Sequence, residues 1–157
     1  MFAAIYPVLT QLLAAFLATI GFAILFNAPF KELPIIGMAG GICWLVYLAF
    51  AEGLGWHIVL ATLIASTVNT LSCRALAVAR GCPVTVFLLP GIFPLIPGGR
   101  IYYTAYYMFL RDSANCLSNG LTAVEIAAAL AFGISLGFGL PQKLFHIFYF
   151  KGRFRSY

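Results

Sequence analysis

Residues 2–26 carry no charged side chain. At about 1.5 Å per residue, a helix of this length can cross a hydrocarbon core of about 30 Å. The rest of the chain is built in the same way. Its 157 residues are 63% hydrophobic and only 8% charged, with a mean hydropathy of +1.02. That leaves too little polar surface to coat a water-soluble domain. The reading is all-α: a polytopic transmembrane helical bundle of about five spans in a single transmembrane domain.

The first span, 2–26, ends where Asn27, Pro29, Lys31, Glu32 and Pro34 bring helix-ending and water-preferring residues together. A second apolar run, 35–51, stops at Glu52, Gly53 and Gly55, which leave room for a tight turn. The third span, 56–73, opens at Trp56, an interface anchor, and closes before Arg74. Residues 83–110 hold Pro90, Pro94, Pro97, Gly98 and Gly99 and cannot form one regular helix. Two half-helices joined by an unwound centre would fit a single crossing. The fifth span is 121–140, followed by a basic, aromatic tail at 141–157 suited to lie against headgroups. The N-terminus lacks the Lys/Arg region and cleavage pattern of a signal peptide, so the first run is expected to be retained.

Charge placement sets the orientation, because cytoplasmic loops collect Lys and Arg. With the N-terminus outside and the C-terminus in the cytoplasm, Lys31, Arg74, Arg80, Lys143, Lys151, Arg153 and Arg155 fall inside and Arg111 outside. A re-entrant loop at 83–110 would strand the basic tail on the outer side. The net charge of +5 comes from these scattered bases rather than a patch, which argues against nucleic acid. The four cysteines show no CxxC or Cys/His spacing, so neither zinc nor a disulfide framework is expected, and no cofactor.

The segment best placed to carry chemistry is the broken fourth span, with Pro90, Gly91, Pro94, Pro97, Gly98, Gly99 and Arg100. Unwinding a helix in lipid exposes backbone groups that nothing apolar can satisfy. Transporters aim such free N–H groups and half-helix dipoles at anionic substrate groups. Arg100, at the start of the second half-helix, is placed to bond a carboxylate. The alternative is a proline-kinked packing helix in which Arg100 meets a carbonyl.

The stretch PGIFPLIPGGRIYYT, residues 90–104, resembles the proline/glycine signature of the threonine/serine exporter (ThrE-like) family, in its small YjjB-type subunit. Gly21 to Pro29 (GFAILFNAP) resembles the end of that family's first helix. Gly40-Gly41 followed by Trp44 and Tyr47 resembles its second, and Ala79-Arg80 before Pro83 the approach to the break. The similarity covers roughly residues 12–140. It implies one part of an inner-membrane exporter of threonine, serine or a dicarboxylate such as succinate, in a bacterial cell, completed by a larger partner subunit with about five helices. Arg100 and Glu125 match no family signature position.

On the third span, Thr62, Ser66, Asn69, Thr70 and Cys73 share one helical face that should avoid lipid. They would form either a polar wall of the pathway, with Asn69 on substrate, or interhelical hydrogen bonds. Asn27 suits a helix cap or a gate. Glu125 is the carboxylate inside an apolar run, a proton relay or, in Thr122-x-x-Glu125, a capping-box residue in the first turn of span five. Tyr102, Tyr103, Tyr106 and Tyr107 read as an outer aromatic belt or a binding cage. Gly133, Gly137 and Gly139 with Ala127 and Ala131, and Ala14, Ala18 and Gly21, form small-residue packing stripes, one of which is free to meet another subunit in a higher oligomer. His57 and His146 suit capping or solvated roles, not a metal site.

The function expected is secondary export, with a midplane site that opens alternately to each side and is driven by the proton gradient. No nucleotide-binding signature, HExxH or GxSxG occurs, so neither ATP hydrolysis nor intramembrane catalysis is expected. The rivals are a scaffold subunit that touches no substrate and, behind it, an intramembrane enzyme.

Overall fold

The computed structural model describes residues 2–141. The basic tail, with Lys143, His146, Lys151, Arg153 and Arg155, lies outside them. Every regular element among the described residues is a helix: α1 (Phe2–Leu25), α2 (Leu33–Leu48), α3 (Ile58–Arg80), α4 (Val84–Ile92), α5 (Gly98–Phe109) and α6 (Ser113–Gly139). Pro7–Leu25, Phe30–Gly53, Ile58–Arg80 and Ser113–Gly139 are long and apolar enough to cross a membrane. The pair α4 and α5, bent by 51°, is long and apolar enough to make a fifth crossing as one broken span. The chain is a multi-pass membrane protein.

The helix ends follow from local chemistry. Asn27, at φ 54°, ends α1 in the left-handed conformation that asparagine tolerates. The Asn27 N–H donates to Ile24 O at 3.0 Å and the Ala28 N–H to Ala23 O at 2.9 Å, so this residue caps the helix. A 3-10 turn, Phe30–Glu32, leads into α2, where Pro34 occupies a first-turn position with no N–H to lose. His57 caps α3, its Nδ1 accepting from the Val59 N–H. The third helix runs past the expected Cys73 as far as Arg80, until Gly81 at φ 67° releases it.

Packing sets the directions. Gly40 approaches α1 so closely that an added Cβ would stand 2.7 Å from Thr19 Cβ, and Trp44 Nε1 donates to Gln11 Oε1 at 3.3 Å. Later residues of α2 therefore meet earlier residues of α1, and the two are antiparallel. Between α3 and α6 the order is the same on both helices: Gly133 lies on Leu63 and Ser66, and Gly137 on Thr70. These two helices run parallel, as a single crossing by α4 and α5 between them requires. A re-entrant loop would have reversed α6.

The ends of the bundle are tied by charge. Glu32, buried at 5% exposure, accepts from Arg80 Nε and Nη2 at 2.9 Å each. Arg74 is not in a loop, as expected from the sequence, but buried on α3. Its Nη1 donates to the carbonyls of Gly137 and Leu140 at the C-terminus of α6, where a cation also meets the negative end of the helix dipole.

The polar face of α3 avoids lipid: Thr62, Ser66, Asn69, Thr70 and Cys73 are each at most 1% exposed. Their hydroxyls do not cross to other helices. Thr62, Ser66 and Thr70 donate to backbone carbonyls of α3 itself, at 2.8–3.0 Å. What they give the neighbours is small size, because Gly133 and Gly137 seat on them. Gly139, Ala127 and Ala131 of the expected stripe face elsewhere, and Ala14, Ala18 and Gly21 are exposed on α1.

Two outcomes follow. Gly133→Ala brings a Cβ to 2.7 Å from Leu63 O. It should cost about 1–3 kcal/mol through overpacking, despite alanine's better helix propensity. Gly139→Ala, with open space around it, should be neutral or slightly stabilising; thermal melts in detergent compare the two. Arg80→Gln leaves Glu32 buried without its partner and should cost about 1–3 kcal/mol, discounted because Arg80 is 41% exposed. Adding Glu32→Gln should recover part of that loss.

Candidate functional site

The broken span is built by prolines acting in sequence. Pro90 lies inside α4 and Pro94 inside the 3-10 turn Phe93–Leu95, each removing a backbone donor. Phe93 is held there by stacking on Phe22 of α1, with ring centroids 3.7 Å apart. The chain then extends at Ile96, and Pro97 (φ -76°, ψ 51°) forms an inverse γ-turn, its signature the 2.7 Å bond from the Gly98 N–H to Ile96 O. α5 starts at once, with Pro97 as an N-cap that has no side-chain acceptor to offer. Ile101 N–H finds Pro97 O at 3.0 Å. The amides of Gly99 and Arg100 between them have no acceptor among the described residues. These are the orphan donors at the positive end of a helix dipole.

Gly99 and Arg100 line a cavity of about 450 Å³. One wall is the break itself, Pro94 to Arg100. The other lining residues are Trp44 and Tyr47 of α2, Ile58 and Thr62 of α3, Tyr103 of α5 and Ile126 of α6. Among these, Ile58 is the first residue of α3, whereas Ile126 lies midway along α6. Arg100 Nη1 donates to Asn119 Oδ1 at 3.1 Å. Asn119 is turned to receive it, because its Nδ2 donates to Asn115 O at 2.8 Å. A guanidinium has further N–H groups, which remain available for an anion. Thr62 Oγ1 donates to Ile58 O at 2.8 Å, which leaves its oxygen able to accept.

The structure therefore divides the expected site residues. Pro94, Pro97, Gly98, Gly99 and Arg100 line the cavity. Pro90, Gly91 and Asn69 do not; they are buried together deeper in the bundle. An added Cβ on Gly91 would stand 3.2 Å from both Asn69 Oδ1 and Nδ2, so a larger residue there would press on this side chain. Asn69 Oδ1 accepts weakly from Cys73 Sγ at 3.6 Å, and Nδ2 has no partner among the described residues. Such a buried orphan donor costs about 1–3 kcal/mol.

Glu125 is not in a capping box. α6 starts at Ser113 rather than 121, and its N-cap is Asp112, which accepts from the Asn115 backbone N–H at 3.2 Å and from Asn115 Nδ2 at 2.7 Å. Those bonds hold the Asp112 carboxyl below its ordinary value. Thr122 instead donates to Ser118 O within the helix. Glu125 is exposed on α6 and is not among the residues that line the cavity. Tyr102, Tyr103 and Tyr106 are roughly half-exposed on α5, and of the tyrosines there Tyr103 lines the cavity. Sequence reasoning assigned no site role to Asn119, Trp44 or Tyr47. The i, i+3 spacing of Trp44 and Tyr47 could have flagged one helical face, whereas nothing in the sequence pairs Asn119 with Arg100.

Comparison with known proteins identifies the family. The family profile "Threonine/Serine exporter, ThrE" matches residues 11–138. A probable threonine/serine exporter of Mycobacterium tuberculosis (strain ATCC 25618 / H37Rv) is 26% identical over 138 residues, which are 88% of this chain and 25% of that protein. The chain thus spans about a quarter of the length of the curated relative it matches. No solved structure matches. With a family match running from α1 to the end of α6 across the broken span, the chain belongs to the threonine/serine exporter family, whose business is transport rather than catalysis.

Proposed function

We propose that this chain is one part of a secondary-active exporter of small hydroxylated amino acids, threonine or serine, in a bacterial inner membrane. The observation that carries the reading is the cavity at the break, where the uncapped start of α5 and the Arg100 guanidinium converge. A substrate carboxylate docks on the amides of Gly99 and Arg100 and on the guanidinium, while Thr62 accepts from the substrate hydroxyl. The Mycobacterium tuberculosis relative, a probable threonine/serine exporter, supports the same substrates. Its much greater length is compatible with a larger partner subunit of about five helices completing the pathway.

Alternating access then requires α4 to part from α3. Asn69 and Gly91 meet at that seam, and the unpartnered Asn69 Nδ2 is a donor that a passing substrate would satisfy. Proton coupling completes the scheme. Glu125, exposed on α6, is the carboxylate placed to relay protons where a partner chain covers it.

Orientation follows from charge. Glu32–Arg80 and Arg74–Leu140 gather the C-terminal ends of α3 and α6 with the α1–α2 turn at one end, and Arg111 lies at the other. The basic end is cytoplasmic. A membrane-impermeant maleimide should therefore label Cys116 in intact cells and Cys82 only after permeabilisation; the reverse pattern would invert the topology.

The function is tested by reconstitution with the larger partner in vesicles. Efflux of threonine or serine, accelerated by a pH gradient, is expected, and Arg100→Gln should raise KM by about tenfold or more through loss of a charge-assisted bond. Glu125→Gln should abolish the response to the gradient while leaving KM within about threefold. Efflux of succinate alone, or transport untouched by Arg100→Gln, would sink the proposal in favour of a dicarboxylate carrier or a scaffold.

A further inference from the structure

The cavity is chemically lopsided. It offers a cation and free amides to an anionic group, but no aspartate or glutamate is among the residues that line it. Glu52, on the turn after α2, is exposed and stands outside the lining. An amino acid also carries an ammonium, and this group needs a partner once water is stripped from it.

The cavity that Arg100 lines also carries aromatic side chains. Trp44 and Tyr47 stack with ring centroids 4.9 Å apart and planes inclined by 27°, and Tyr103 adds a third ring. The bond from Trp44 Nε1 to Gln11 Oε1 fixes the indole against α1. Its ring position is therefore set by packing and not left to rotate. Aromatic faces carry a negative quadrupole that attracts alkylammonium groups and repels carboxylates.

We infer that Trp44, Tyr47 and Tyr103 form an ammonium subsite, which makes the cavity selective for zwitterionic α-amino acids over carboxylates that lack the amine. This rests on the reading of the cavity as the substrate site. One carboxylate is matched by Arg100 and the α5 amides, and the ammonium by the rings. A dicarboxylate would present its second negative charge to the ring faces, with no second cation to receive it. 3-Hydroxybutyrate, which keeps threonine's carboxylate and hydroxyl but lacks its amine, would gain nothing from them.

Equilibrium binding of labelled threonine to the full chain in lipid nanodiscs, with 3-hydroxybutyrate and succinate as competitors, tests the assignment. Threonine should bind about tenfold or more tightly than 3-hydroxybutyrate, and Trp44→Leu should erase most of that ratio by weakening threonine alone. Trp44→Phe, which keeps a ring face, should restore threonine affinity to within about threefold. If Trp44→Leu does not fold by its thermal melt, Tyr47→Leu against Tyr47→Phe makes the same comparison. Equal weakening of both ligands by the leucine variants, or loss of the preference in Glu52→Gln, would overturn the aromatic subsite while leaving the cavity as the site. Failure of the broader reading looks different: neither ligand binds, or Arg100→Gln leaves both affinities unchanged.

Discussion

Lipid cannot hydrogen-bond a peptide group, and the rest of the structure is arranged around that fact. A span interrupted by Pro90, Pro94 and Pro97 gives up the backbone pairing that makes a helix tolerable in a bilayer. It must be walled off by other helices or face a watery cavity. Both solutions are used here. The α4 half is enclosed, with Phe87, Leu88, Pro90 and Gly91 buried against α2 and α3. The start of α5 opens instead onto the cavity.

Enclosure of α4 demands a thin, polar-tolerant neighbour, and α3 is built for that. Its threonines and serines return their hydroxyl protons to carbonyls of their own helix, so they behave as small side chains with no outstanding polar debt. Glycines from α6 then pack directly on Ser66 and Thr70, and Gly91 of α4 packs on Asn69. α3 is consequently the axis of the bundle, touching α2 and α4 on one side and α6 on the other.

Much of this was legible in the sequence. Uncharged runs gave the crossings, the proline spacing gave the broken fourth span, and the period of Thr62, Ser66, Asn69, Thr70 and Cys73 gave the buried face of α3. What was not legible depended on tertiary register. Arg74 looked like a loop cation because a base in an apolar run usually marks a boundary. It is buried instead because the carbonyls at the end of α6 arrive beside it from 63 residues away. Glu125 looked like a helix-start residue because Thr122 has the right spacing, but Asp112 and Asn115 cap the helix earlier. The grouping of Pro90 with Arg100 was too coarse, because a 51° bend sends the two ends of one motif into different surroundings.

The uncapped start of α5 has a consequence for how such a protein can change over time. Its pull on anions is written in peptide units, not in a side chain, and no single codon encodes it. Replacing wall residues can reshape what fits without removing the attraction. To erase it, a mutation would have to shift where the helix begins, and the γ-turn at Pro97 holds that point fixed. Specificity in this architecture is thus free to drift around a constant electrostatic anchor.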